Sequence, residues 1–361
     1  MKRESGQLKT WLKIAAFLSC FVILAACGTD SPDKVVKKVE KAWGNHEGYT
    51  LLADMEMQAG GQTKAYEIEV WHTKPELYRV EVVEKDSDTR QIIVKNEEGV
   101  YVVAPSLNKT YEFQSEWPTK NSQAYFIHTL INDLKSDENR KMKETENQFE
   151  FEVATQNNEK TGLPLQKIQI DKKSYAPVQV TLFNEAGEEK IKIAFSKVNF
   201  EEVHSSKEYA IDTETKSTGE STETNSKTTD ESTETNSKST DESTETKDKG
   251  SETTYYPAYE FANTKLVDEK VIKDGDNLRV ILTYEGDKRF TLMQESAVPN
   301  DAMIPVFAPG EIAQVGGVFG SVTENSLSWE ENGKSFFLAS HNLSMLEMVE
   351  VANSMTENSL K

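Results

Sequence analysis

The chain has 361 residues, a formal net charge of −20 and only two cysteines. That length exceeds what one apolar core usually organises, so two domains are expected. The charge speaks against nucleic acid, whose phosphates would repel such a surface, and against a body spread flat on an anionic membrane.

The first residues read as an export leader. Lys2, Arg3, Lys9 and Lys13 precede an apolar run from Ile14 to Ala26. The run is too short to span a bilayer, which takes about 20 residues, but it suits a signal-peptide core. It ends in Leu24-Ala25-Ala26-Cys27, followed by Gly28. Small residues before the cut fit a peptidase cleft, and the cysteine after it supplies a thiol for diacylglycerol. The segment resembles the bacterial lipobox. Cleavage between Ala26 and Cys27, a lipid anchor on Cys27 within a short 27–30 segment, and a place on the extracytoplasmic face of the cell membrane are therefore expected. Two acyl chains anchor stably where one is marginal. Cys20 leaves with the leader, so the mature chain has no disulfide, no thiolate metal site and no cysteine nucleophile.

From residue 31 to 212 the pattern is that of one folded domain. Ser31-Pro32-Asp33 supplies an N-cap, a proline at the first helical position and an acid in the first turn. Val35, Val36, Val39, Ala42 and Trp43 share one helical stripe, which Gly44 ends. Beyond Tyr49 the period changes to two. Leu51, Ala53, Met55 and Met57 alternate with polar residues, broken only by Leu52. Tyr66, Ile68 and Val70 alternate with glutamates, and Tyr78, Val80 and Val82 alternate with Arg79 and Glu81. One apolar and one wet face is the mark of an antiparallel sheet. Asn96-Glu97-Glu98-Gly99 and Ser106-Leu107-Asn108-Lys109 leave room only for hairpins, joining Gln91–Lys95, Val100–Ala104 and Thr110–Phe113. A second helix is predicted over Asn121–Lys135. Strands are predicted again at Phe149–Ala154, Leu165–Ile170, Pro177–Phe183 and Lys190–Asn199.

Val70-Trp71-His72-Thr73-Lys74-Pro75-Glu76-Leu77-Tyr78-Arg79-Val80 resembles a strand pair of the LolA/LolB lipoprotein-carrier superfamily. Ile92 to Tyr101, the turn Ala104 to Asn108 and the helix over Asn121–Asp133 continue the same ordered series. Taken whole, the chain resembles the lipid-anchored, LolA-like proteins of Gram-positive spore formers, which are linked to sporulation and germination. The resemblance implies an α+β chain: a LolA-like half-open antiparallel β-barrel with a helical lid, and a smaller C-terminal α+β domain. The lid and cavity positions would be Leu51, Ala53, Met55, Tyr66, Ile68, Val70, Lys74, Tyr78, Tyr125 and Ile127. In the carriers such a cavity holds acyl chains; the alternative here is a dry, closed core. Lys74 stands where the carriers have an arginine that helps fasten the lid, and lysine lacks that planar fork.

Glu-Ser-Thr-Glu-Thr recurs at Glu220, Glu231 and Glu242. The stretch 213–254 carries no aliphatic or aromatic side chain. It cannot bury enough surface to offset ordering and is expected to be a disordered linker. Residues 255–361 form the second domain. A hairpin is predicted around Tyr284 to Lys288, a turn-rich run through Gly310, Gly316, Gly317 and Gly320, and a strand at Val318–Val322. Another hairpin turns at Glu331-Asn332-Gly333. A last helix, capped by Asn342 or Ser344, carries Met345, Leu346, Met348, Val349 and Ala352.

Catalytic patterns are poor. His46, His72, His128, His204 and His341 never take metal-ligand spacing, and Gly316 to Ser321 is not a nucleophile elbow. Asp86-Ser87-Asp88 and Asp274-Gly275-Asp276 read as turns rather than calcium loops. The expectation is a non-enzyme without metal or cofactor: a membrane-anchored binding or scaffold protein with an envelope protein as partner. A lipid or lipoprotein carrier holding an acyl chain is the alternative, and a wall-active hydrolase a second one.

Overall fold

Alternation at period two makes strands of nearly all the first half. The computed structural model describes residues 30–211 and 253–358, apart from 60, 86, 88, 115, 119–122, 157–161, 276 and 301–303. The leader with Ala26 and Cys27, the repeats within 213–252 and the Asp86 and Asp88 pair lie outside the described residues.

Strands β1 (Gly48–Ala59), β2 (Gln62–Thr73), β3 (Leu77–Glu84), β4 (Arg90–Lys95), β5 (Val100–Ala104) and β6 (Lys109–Phe113) form one meander. A second comprises β7 (Lys141–Glu144), β8 (Gln148–Ala154), β9 (Leu165–Asp171), β10 (Pro177–Phe183) and β11 (Glu189–Asn199). Strand β11 pairs antiparallel with β1 and fuses the two meanders into one sheet. The register places Leu51 opposite Val70, Ala53 opposite Ile68 and Met55 opposite Tyr66, so the apolar residues of neighbouring strands line the same face. A bulge against β11 falls between Leu52 and Ala53, and the Ser196 hydroxyl donates to the Leu52 carbonyl there. The interruption of the alternation at Leu52 thus lies beside an irregularity in the ladder.

Two helices cover the apolar face. Helix α1 (Pro32–Gly44) buries Val35, Val36, Val39 and Trp43. Helix α2 (Ile127–Ser136) buries Ile127, Leu130 and Leu134 and is shorter than expected, because Phe126 keeps an extended backbone as its N-cap. Tyr125 and Phe126 are nevertheless buried in the same core.

The second sheet has seven strands in the order β13, β14, β15, β20, β19, β18, β17. They are β13 (Thr264–Asp274), β14 (Asn277–Gly286), β15 (Phe290–Ser296), β17 (Glu311–Val315), β18 (Val318–Val322), β19 (Ser326–Glu331) and β20 (Lys334–Ala339). Helix α3 (Met345–Asn353) packs on it, begun by a capping box between Ser344 and Glu347. A small pair, β12 (Thr254–Pro257) with β21 (Met355–Asn358), flanks that helix.

The structure bears out the expected fold class in part: the described residues are mostly β with three α-helices. The large sheet is mixed: β16 (Pro305–Ala308), from the C-terminal half, lies parallel to β6 and becomes its twelfth strand. Its strand order among the described residues is linear, ending at β16 and β7, so the sheet is left open, in keeping with an expectation of a half-open and not a closed barrel. The chain beyond residue 255 is also not free-standing, since Ala308, Ile312 and Phe319 belong to the first core.

Candidate functional site

The inner face of β1, β2 and β3 is where sequence placed the cavity. Leu51, Ala53, Met55, Tyr66, Ile68, Val70, Tyr78, Tyr125 and Ile127 all come together there in one core, none more than 7% exposed. Helices α1 and α2 and the facing strands supply the side chains that fill the space between them. Lys74, just outside, donates from Nζ to the Gly44 carbonyl at 3.1 Å, the last residue of α1. A cation at that end satisfies a terminal carbonyl. Lysine thus ties the lid by one bond, without the fork of an arginine. Trp43 adds a second tie, its Nε1 donating to the Tyr175 carbonyl at 2.7 Å.

Helix α2 is fastened at its other end by Asp133, which is 2% exposed. Its carboxylate accepts from Gln166 Nε2 at 2.5 Å and from the Gln156 backbone N–H at 3.1 Å. Burial lifts its pKa to about 6, against the lowering pull of those two donors. One turn on, Asp137 accepts from the Ala154 backbone N–H at 2.8 Å.

Two histidines that sequence treats as unrelated meet at Tyr78. The His72 ring stacks on Tyr78 with centroids 4.3 Å apart, and His128 Nδ1 lies 3.3 Å from the Tyr78 hydroxyl. His72 Nδ1 donates to the Leu77 carbonyl. Burial, with a smaller contribution from His72, pulls the His128 imidazole down to about 4, and burial lowers His72 also. Both are neutral at pH 7, within an aromatic cluster that includes Trp117 and Phe126. Among the described residues no group of three His, Cys, Asp or Glu is placed to hold a metal.

Sequence reading missed the second half's part in this site. The turn between β17 and β18 enters beside Tyr66, so tightly that a Cβ on Gly317 would lie 1.9 Å from the ring. The Phe319 backbone N–H donates to Gln91 Oε1 at 2.6 Å. Lys64 pairs with the buried Glu331, and Lys109 with Glu330. Burial raises the Glu331 carboxyl even with Lys64 opposing it. Only the run of glycines hinted at so close an approach. On the opposite, wet face lies an open depression of about 300 Å³ lined by Asp54, Glu67, Glu69 and Glu81. Its acids are already engaged, Lys85 pairing with Asp54 and Glu67 and Arg79 with Glu69 and Glu81.

Fold and site define the class: a mainly antiparallel, helix-covered sheet whose inner face is packed, with a second β unit docked on it. The profile described as "Sporulation protein YdcC-like" matches residues 8–210, more than half the sequence. The chain belongs to this YdcC-like family of sporulation proteins. It is 31% identical over 362 residues to sporulation protein YdcC of Bacillus subtilis strain 168, spanning 98% of both chains. Solved structures to which it is similar include a chain of the Pseudomonas aeruginosa MucA/MucB complex, at 11% identity and TM-score 0.32, covering 91% of this chain and 99% of that one. Another is the LolA superfamily protein NE2245 of Nitrosomonas europaea, at 10% identity and TM-score 0.29, covering 51% and 99%. A third comes from the CwlD amidase of Clostridioides difficile in complex with the GerS lipoprotein, at 14% identity and TM-score 0.21, covering 47% and 96%. The topology given above rests on this chain's own strand pairing.

Proposed function

We propose that the chain is a membrane-anchored, extracytoplasmic lipoprotein that works without catalysis, as a binding or scaffold protein in the envelope of a sporulating cell. The observation that carries this reading is the packed inner face. A carrier needs an open apolar space for an acyl chain. Here the positions that would line it are buried among one another and against Ile312 and Phe319. Family membership supports the sporulation context. The basic, apolar and Ala-Cys sequence of the leader supports the anchor.

Labelled palmitate should enter the wild-type chain and be lost in Cys27→Ala, which should leave the membrane fraction. Photo-crosslinking in sporulating cells should then trap a discrete envelope protein in the wild type. Native mass spectrometry of gently purified protein separates the alternative. Stoichiometric lipid that disappears in Ile68→Asp, with the fold retained, would replace the scaffold with a carrier.

A further inference from the structure

Helix α1 has two opposite faces of different chemistry. At about 100° per residue, Val35, Val36, Val39 and Trp43 fall within an arc of roughly 100°. They are the buried residues of the helix. Lys34, Lys37, Lys38 and Lys41 fall within an equal arc on the far side, and all four are exposed. The acids of the helix sit between these faces. Asp33 pairs with Arg140, and Glu40 pairs with Lys135 at the end of α2. Asp30, just before the helix, engages Lys38. The outermost ridge is therefore all lysine, and Lys34, Lys37 and Lys41 have no ion-pair partner among the described residues. In a chain of net charge −20 this is a local reversal of sign.

The position of the ridge gives it meaning. Pro32 opens α1 five residues after Cys27. Five residues fully extended reach at most about 18 Å. A lipid on Cys27 thus keeps the start of the helix within about 18 Å of the headgroups, and lets the ridge come inside the Debye length of about 8 Å at physiological salt, where attraction acts. We infer that the lysine ridge of α1 is a docking surface for the anionic headgroups of a phospholipid bilayer. It sets which side of the protein faces the membrane. The inference rests on the anchored reading. The acyl chains fix the distance and the ridge fixes the orientation, leaving the acidic bulk turned away. A lysine near an anionic surface contributes about fivefold in partitioning.

The test uses the full chain with its anchor, in vesicles of phosphatidylcholine with or without phosphatidylglycerol. Amine acylation read by mass spectrometry reports each lysine. With phosphatidylglycerol, acylation of Lys34, Lys37 and Lys41 should slow about fivefold. Lys265, Lys270 and Lys273 on β13, exposed in the second sheet, should not change. High salt should abolish the protection, and the triple variant Lys34→Glu, Lys37→Glu, Lys41→Glu should lose the protection of Lys38 while melting as the wild type does. Equal acylation in both vesicle types, with the protein still floating through Cys27, overturns the ridge and leaves the anchor standing. So does equal protection by soluble polyphosphate without vesicles. Loss of palmitate label from the wild type itself removes the anchor and the inference together.

Discussion

Asp133 offers the sharpest test of how the helical cover is held. The perturbation is Asp133→Asn. Lifting a carboxyl from its ordinary 3.8 to about 6 leaves the native state about 3 kcal/mol less stable at pH 7 than an unperturbed aspartate would, at ~1.36 kcal/mol per pH unit. The sign follows from proton binding. The folded state takes up the proton near pH 6 and the unfolded state near 3.8, so this contribution is fully favourable below pH 3.8 and is lost as pH rises through 6. A neutral amide removes the titration. It still accepts from the Gln156 N–H, and its own NH2 donates to Gln166 Oε1, which is buried without a partner, once that side chain turns over. Asp133→Asn should therefore be more stable than wild type by about 1–3 kcal/mol at pH 7, with the gap closing below pH 4. Urea denaturation followed by tryptophan fluorescence, at several pH values between 4 and 7, measures it. Other groups titrate in both proteins and cancel in the difference. A variant less stable than wild type at pH 7, or a gap independent of pH, refutes the reasoning.

His128 should act in the opposite sense. Its depressed imidazole makes the wild type lose stability relative to His128→Gln as pH falls from 6.5 to about 4, by on the order of 2–3 kcal/mol in the same denaturation assay. Lys64→Met or Glu331→Leu alone should each cost about 3 kcal/mol by stranding a charge, while the double variant returns close to wild type; a double-mutant cycle on melting curves reads the coupling. Gly317→Ala puts a methyl into the Tyr66 ring and should cost about 1–3 kcal/mol, opening the β17–β18 turn to limited proteolysis. Ser344→Ala removes the cap of α3 and should lower stability by about 1 kcal/mol, measured by thermal melting.

What sequence reveals of this fold follows from where each strand lies. Strands marked off as apolar runs between turn residues announce themselves: Val100–Ala104 and Val318–Val322, buried on both faces, and Pro177–Phe183 have the boundaries those turns predict. Strands without such marks stay hidden. Strand β7, Lys-Met-Lys-Glu, is a charged edge with no buried residue. Strand β13 leaves Val267 and Val271 about half exposed, so its residues carry no inside–outside pattern. Strand β16 is bracketed by Pro305 and Pro309, which read as breakers but are tolerated at a sheet edge. The inner-face residues were legible for the same reason as their strands. The partners from the second half were not, because Gln91 with Phe319 and Tyr66 with Gly317 are joined across more than 220 residues. No local period encodes a contact of that range.

The loan of β16 ties the fate of the two halves together. Strand β6 receives its outer neighbour only when residues 305–308 have emerged. Until then it presents an unsatisfied row of amides and carbonyls, the kind of border that invites another chain to add itself. A protein severed inside 213–252 would yield a front fragment with a sticky margin and a rear fragment carrying the missing strip, two pieces shaped to rejoin one another by strand donation.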